Sequence, residues 1–355
     1  MNNIDEAKPV RTGEELDIRR IEAYLRETIP GLTGGIAVSQ FPSGHSNLTY
    51  LLVAGDREFV LRRPPFGRKA KTAHDMGREY RVLKALRPLF PYCPEALAYT
   101  EDEAILGCPF YVMERLKGVI LRKEPPTGLA LAAGDARRLC ERLLDVFVEL
   151  HRVDYRGSEL ENMGRPEGYV RRQVTGWSER YRAARTPDAP DFEGVMAWLQ
   201  ERMPADHPAS AVIHNDYRFD NVVLAPEDPL RIIGVLDWEM ATIGDPLMDL
   251  GGALAYWIDR EDPQEMQAIR LVPTHLEGMM TRAEVVARYC SRMGFPEENM
   301  DFYYTFGLFR LAVIAQQIYY RFFHGQTRDQ RFGMLIYAVH VLEKKAQQVM
   351  KTGRI

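Results

Sequence analysis

Residues 212–252 read VIHNDYRFDNVVLAPEDPLRIIGVLDWEMATIGDPLMDLGG, and no other stretch so narrows the folds open to this chain. Two apolar runs, 222–224 and 232–236, flank a turn-rich APEDP segment, which is the pattern of a β-hairpin. Polar residues stand at both mouths of the hairpin. His214, Asp216 and Asn221 precede it, and Asp237 follows it. Beyond it, Asp245 followed by Pro246 reads as a helix N-cap with proline at the first helical position.

These are the residue types that phosphoryl transfer needs. A carboxylate must orient an incoming hydroxyl and accept its proton. An amide oxygen and a second carboxylate must hold Mg²⁺ against the phosphates. The order H-x-D-x-x-x-x-N, hairpin, Asp supplies all three, with Asp216 as base, Asn221 as one metal ligand and Asp237 as the main one. Single Asp and Asn residues more often cap turns, so the ordered set carries the reading rather than any one member.

The block resembles the catalytic loop and metal-binding aspartate of the protein-kinase-like fold, in its aminoglycoside phosphotransferase and choline kinase branch. It is most similar to the kinase-like domains associated with acyl-CoA dehydrogenases, whose H-N-D-Y-R-x-D-N and L-D-W-E-x-x-x-x-G-D-P-x-x-D-L it follows nearly letter for letter. The resemblance implies an α+β, two-lobed fold. A small nucleotide-binding lobe with a five-stranded antiparallel sheet is expected over residues 1–113. A large, mostly helical lobe for catalysis and acceptor binding is expected over 114–355, with a hinge at 113–118. ATP and Mg²⁺ are the implied cofactors, and His214 and Asp249 are expected to support the catalytic loop. Protein kinases carry a long activation segment ending in A-P-E. None fits between Asp237 and Pro246, so a peptide acceptor is not expected.

The same resemblance assigns roles upstream. Residues 41–53 and 58–61 read as strands around a Gly55-Asp56 turn. Ser43-Gly44-His45-Ser46-Asn47 sits where the phosphate-covering loop belongs and is similar to the G-x-S-N loop of the branch, whose backbone N–H groups and serine hydroxyl meet phosphate oxygens. Ser43, Gly44, Ser46 and Asn47 are therefore nucleotide-binding candidates. Arg62 takes the slot of the lysine that pairs with the phosphates and with a helix glutamate, and its guanidinium fork suits phosphate. The helical spacing of residues 75–89 makes Glu79 the expected partner. Phe110–Met113 followed by Glu114-Arg-Leu-Lys-Gly118 matches the hinge, with Met113, Glu114 and Leu116 at the adenine edge.

Periodicity predicts an entry helix near 14–28 and large-lobe helices near 133–153, 166–185 and 192–203, with a terminal helix over 331–351. His151 closes the first of the large-lobe helices and reads as a packing or capping residue. The 166–185 helix carries Val170, Val174, Trp177 and Tyr181 on one face and several arginines elsewhere. Most of these are a solvated face, while Arg171 and Arg172 are candidates for an anion-binding wall at the acceptor. The most apolar stretch, 302–323, is broken by Arg310 and Arg321 and reads as a core helix, not a membrane span.

Composition narrows the partners. A net charge of −4 over 355 residues gives no reason to expect nucleic acid or a membrane. Four scattered cysteines without a C-x-x-C pair suggest reduced thiols. With a polar, acidic N-terminal segment, they predict a cytoplasmic protein. The presumed acceptor regions, 156–211 and 255–355, hold nearly equal numbers of basic and acidic residues. That balance does not favour the acidic pocket a polycationic aminoglycoside would require. The expected function is ATP- and Mg²⁺-dependent phosphorylation of a small-molecule hydroxyl, with a hydroxyacyl-CoA or related metabolite as acceptor and a functional link to an acyl-CoA dehydrogenase. The alternatives are an aminoglycoside phosphotransferase and a nucleotide-binding pseudokinase that regulates a partner enzyme.

Overall fold

Short β-prone runs separated by Gly and Asp turns dominate the first third of the chain, and amphipathic helices dominate the rest. The structure, a computed structural model, describes residues 4–42, 47–65, 75–205, 209–327 and 329–355. Ser43, Gly44 and Ser46 lie outside the described residues.

The architecture has a small antiparallel-sheet lobe and a large, mostly helical lobe. The chain divides into two compact units. One comprises residues up to Ile120 with Ser158–Leu160 and Asn221–Ala241. The other comprises Leu121–Gly157, Glu161–Asp220 and Thr242–Ile355. The division read from sequence kept residues 221–241 with the large lobe. In the structure Val119–Ile120 pairs with Val222–Leu224, which pairs in turn with Ile232–Val235, and this three-stranded sheet draws the hairpin into the first unit. Gly118 permits that approach, since a Cβ there would collide with the Leu224 carbonyl.

In the first unit five antiparallel strands run in the order Ile36–Gln40, Leu48–Ala54, Arg57–Arg63, Phe110–Glu114, Ala96–Thr100. Alternation puts Tyr50, Leu52, Phe59, Leu61 and Val112 into one core with Ile21 and Leu25. Those last two come from the helix Ile18–Thr28, which Asp17 caps through the Arg20 N–H. The helix Met76–Leu86 is capped by Asp75 and presents Met76, Glu79, Val82, Leu83 and Leu86 to the interior. A buried glutamate in that apolar series needs a partner.

In the second unit the helices Ala133–His151, Tyr169–Ala184, Glu193–Glu201, Pro246–Tyr256, Arg282–Met293, Met300–Phe323 and Leu335–Thr352 make the core. The expected stretch 302–323 is indeed one long core helix. Gln316 pins it by donating to Ala184 O at 2.9 Å and Thr186 Oγ1 at 3.0 Å. Gly251 and Gly307 fix its crossing with Pro246–Tyr256. A Cβ on Gly307 would strike the Gly251 carbonyl, and one on Gly251 the Tyr303 carbonyl, so the two helices meet backbone to backbone. Among the described residues no helix is long and apolar enough to cross a membrane.

Candidate active site

Each unit holds one group of functional side chains. In the first, the strand Arg57–Arg63 delivers Arg62, which is 8% exposed. Its Nη1 bonds Glu79 Oε1, as the helix spacing predicts. Its Nη2 donates to Asp237 Oδ1 at 3.0 Å, with Glu239 Oε2 3.9 Å away. Burial pushes the Glu79 carboxyl up to about 6, against the opposing charge of Arg62. Asp237 ends the hairpin in the left-handed region (φ 66°), a sparsely populated conformation for a non-glycine residue and one that recurs at functional sites. Trp238 beside it is buried, donates to Val235 O at 2.8 Å and packs edge-on against Phe90. The turn that carries Asp237 is thereby fixed.

Asn221 is buried, and its backbone carbonyl accepts from Leu236 N at 2.8 Å, closing the hairpin mouth. Asn47 is 2% exposed and donates to Glu239 Oε2 at 2.8 Å. Arg78 donates to the carbonyl of Glu239 at 2.9 Å and to that of Ala241. Glu239 thus ties Asn47 to the Asp237 turn, a role sequence reading did not assign it. The signal available was its place two residues after Asp237. Met113 and Glu114 end the strand Phe110–Glu114, and the Glu114 N–H is bonded to Glu95 O at 2.9 Å. Leu116 packs against the hairpin where Gly234 leaves no room for a Cβ.

In the second unit the pairing of Ala211–Ile213 with Thr242–Gly244 presents the loop that starts at His214. Asp249 braces this loop. Its Oδ2 accepts the His214 N–H at 2.6 Å and its Oδ1 the Asn215 N–H at 2.8 Å. Burial would raise the Asp249 pKa, but the hydrogen bonds from the His151 ring and the His214 N–H hold it below the usual carboxylate range. His151 Nε2 lies 3.2 Å from Asp249 Oδ2, and its Nδ1 lies 2.6 Å from the Tyr289 hydroxyl. An ionised carboxylate only accepts, so Nε2 carries the proton and Nδ1 receives the Tyr289 hydrogen. His214 Nδ1 accepts the Asp216 N–H at 3.2 Å. His214 and Asp249, expected to support this loop, are both hydrogen-bonded to its backbone. His151 packs against Phe147 and also anchors the brace.

Asp216 follows Asn215, which is held at φ 65°. Arg218 Nε stands 3.3 Å from Asp216 Oδ1 and 3.1 Å from Asp220 Oδ1, with its guanidinium over the Tyr256 ring at 4.5 Å. Burial pushes Asp220 up to about 6, opposed by Arg218 and assisted by Asp216. One cation thus serves two carboxylates, which sequence reading missed although the two acids flank Arg218 at even spacing. Arg171 and Arg172 are exposed, and Arg172 donates to the carbonyls of Glu167 and Arg165.

The donors assigned to a metal, the Asn221 amide oxygen and the Asp237 carboxylate, are hard oxygens of the kind Mg²⁺ takes. Among the described residues no three or more His, Cys, Asp or Glu side chains group to hold a metal ion. Few protein ligands completed by substrate phosphates are the usual arrangement for Mg²⁺, so the residues present fit that ion.

Comparison with known proteins agrees with this chemistry. The model of the phosphotransferase enzyme family matches residues 37–279. Acyl-CoA dehydrogenase family member 10 of Mus musculus is 34% identical over 327 residues, which cover 91% of this chain and 30% of that protein. Family member 11 of the same organism is 31% identical over 95% of this chain and 44% of its own length. The chain spans less than half of these relatives. A solved structure described as a "putative aminoglycoside phosphotransferase" from Ralstonia eutropha JMP134 is 29% identical, with a TM-score of 0.79, covering 95% of this chain and 99% of that one.

Proposed function

The chain belongs to the phosphotransferase enzyme family, and from that premise we propose that Asp216, Asn221, Asp237 and Arg62 transfer the γ-phosphoryl group of ATP to the hydroxyl of a small-molecule acceptor. The observation that carries this reading is the continuous bonding of Glu79, Arg62 and Asp237. It supplies a fixed cation beside the main metal-ligand candidate. Asp216 accepts the hydroxyl proton as the acceptor oxygen attacks phosphorus. The bond to the leaving ADP breaks, and ADP departs with the electron pair. Such base assistance is worth roughly 10²- to 10⁴-fold. Asp249 and His151 hold the backbone next to Asp216, and Arg218 orients its carboxylate. Asn221 and Asp237 are the residues to hold Mg²⁺, which when bound neutralises phosphate charge. Ser43, Gly44, Ser46 and Asn47 with Arg62 are assigned to the phosphates, and Met113, Glu114 and Leu116 to the adenine edge. Arg62 makes the glutamate bond of the slot it occupies, which supports a working enzyme over a pseudokinase.

Two acceptor readings differ in charge. The aminoglycoside reading has the broader backing, from the family model and from the solved structure that matches along almost its whole length. The hydroxyacyl-CoA reading, with a functional link to an acyl-CoA dehydrogenase, is favoured by the 34% identity to the dehydrogenase family member. In that reading the exposed Arg171 and Arg172 meet the phosphates of the CoA moiety.

One experiment tests both. Purified protein with Mg·ATP is offered aminoglycosides, simple alcohols and hydroxyacyl-CoAs side by side, and γ-phosphate transfer is followed with Asp216→Asn as the control. Transfer to any hydroxyl that the control abolishes supports the phosphotransferase reading. ATP binding with no transfer to any acceptor favours the pseudokinase. For a CoA acceptor, higher salt and Arg171→Ala/Arg172→Ala should each raise KM without lowering kcat.

A further inference from the structure

Arg310 lies in the helix Met300–Phe323 and is 7% exposed. Among the described residues its guanidinium has neither a carboxylate partner nor a hydrogen-bond acceptor. Its guanidinium lies over the face of Trp177, at 5.3 Å. The other buried arginines of the same unit are paired, Arg270 with Glu124 and Arg282 with Asp262. The Arg310 nitrogens are not among the fully buried atoms that lack a partner, so the stem is buried while the charged head stays open to an anion.

The surroundings are built rather than incidental. The backbone contact of Gly251 with Gly307 sets Arg310 against Gly252. Trp177 is stacked from another side by Arg180 at 4.8 Å, and its indole N–H is satisfied by Gln173 at 3.1 Å. It therefore serves as a rigid platform under the guanidinium. Gly252, against which Arg310 Nη1 lies, is one turn from Tyr256 on the helix Pro246–Tyr256, and the Tyr256 ring lies 4.5 Å from the Arg218 guanidinium that pairs with Asp216. Tyr256 is 9% exposed, and among the described residues its hydroxyl has no hydrogen-bond partner. An unpaired guanidinium and an unpaired hydroxyl thus accompany the proposed base.

We propose that Arg310 and the Tyr256 hydroxyl form the oxyanion-binding subsite of the acceptor, so that the molecule phosphorylated beside Asp216 carries a carboxylate or phosphate. This rests on the phosphotransferase reading and selects between its two acceptors by charge. The planar guanidinium fork matches a carboxylate or phosphate through two parallel bonds. A polycation brought to the same place would meet the unpaired Arg310 as a like charge, which discriminates against aminoglycosides.

The test is calorimetric titration of the full chain with 3-hydroxybutyrate, 3-hydroxybutyryl-CoA and kanamycin, with Mg·ATP titrated in parallel. At least one of the two anions should bind the wild type. Arg310→Met should weaken that binding by about tenfold or more, the loss expected for hydrogen bonds to a charged group. Arg310→Lys should recover part of it, and Mg·ATP affinity should not move. Binding of the free acid assigns the subsite to a carboxylate, and binding of the thioester alone assigns it to the CoA phosphates. If Arg310→Met does not fold, Tyr256→Phe carries the test, because it removes a single hydroxyl and should still weaken anion binding. The proposal is overturned if kanamycin binds and neither anion does, if no probe binds, or if the variants bind the anions as tightly as the wild type. Failure of the wild type to bind Mg·ATP, with the anion response intact, would instead remove the phosphotransferase reading and leave the Arg310 subsite standing.

Discussion

Arg62 Nη2 and Asp237 Oδ1, 175 positions apart in sequence, are joined by a 3.0 Å hydrogen bond, and the other arm of the same guanidinium holds Glu79. One buried cation therefore satisfies a helix carboxylate and orients the aspartate that ends the hairpin. Both contacts depend on the planar fork, because a single ammonium cannot present two arms in fixed directions.

Arg62→Ala should raise KM for ATP and lower stability by about 3–5 kcal/mol, the usual cost of breaking a buried ion pair from one side. Arg62→Lys should recover much of the ATP affinity but less of the stability. The pH dependence follows from Glu79, whose folded-state pKa is raised from 4.5 to about 6. Within that window the folded chain binds more protons than the unfolded chain, so the Glu79 contribution falls as pH rises. Removing Arg62 takes away the charge that opposes the shift and should extend this loss to higher pH. Thermal unfolding of wild type and variant from pH 4.5 to 8 reads it. Equal KM for ATP in Arg62→Ala and wild type would reduce the arginine to a structural role.

Asp237→Ala should raise the Mg²⁺ concentration needed for nucleotide binding, and Asn221→Ala should do so less, because a carboxylate brings a charge that an amide lacks. Mg²⁺ titrations at fixed ATP separate the two. An unchanged requirement in Asp237→Ala rejects its metal role.

Asp216→Asn should lower kcat by about 100-fold or more, the low end for loss of a general base, while ATP affinity and thermal stability stay near wild type. Single-turnover transfer measured alongside ATP binding tests it. A variant retaining more than about a tenth of wild-type kcat is incompatible with the base assignment.

Asp249→Asn should both slow transfer and cost about 1–3 kcal/mol, because an amide NH₂ set against the His214 N–H or His151 Nε2–H leaves buried donors facing each other. The folded-state pKa of Asp249 lies below its ordinary 3.8. Its contribution is therefore present above that value and is lost as pH falls through the folded pKa. The variant should show a shallower acid-side decline in stability than the wild type. An identical acid profile with unchanged kcat would mean that the brace does not support the loop.

The hairpin, the Asp245 cap with Pro246, the long helix through Arg310 and the pairing of Arg62 with Glu79 were all readable in the sequence. Each rests on near-neighbour spacing, on turn chemistry or on a motif whose members keep a fixed order. The chemical identities of Asp216, Asn221 and Asp237 came from the same order. The split that returns residues 221–241 to the first unit depended on the pairing of Val222–Leu224 with the distant Val119–Ile120, which no local pattern specifies.

What only the tertiary structure decided is which charges meet. Glu239 reaching Asn47, Arg218 shared by Asp216 and Asp220, and His151 anchoring Asp249 all join groups whose roles single-residue patterns leave open. Arg310 is the clearest case. In sequence it is one cation interrupting an apolar helix, and nothing in the spacing tells whether it faces water, a carboxylate or an empty site. Its place follows from Gly251 meeting Gly307, an approach between two helices distant in the chain, and among the described residues no acid on the helices around it pairs with it. The reason is physical. Local order is set by propensity and periodicity, which adjacent residues carry, whereas the value of a charge is set by burial and by its partners, which exist only once the chain has folded.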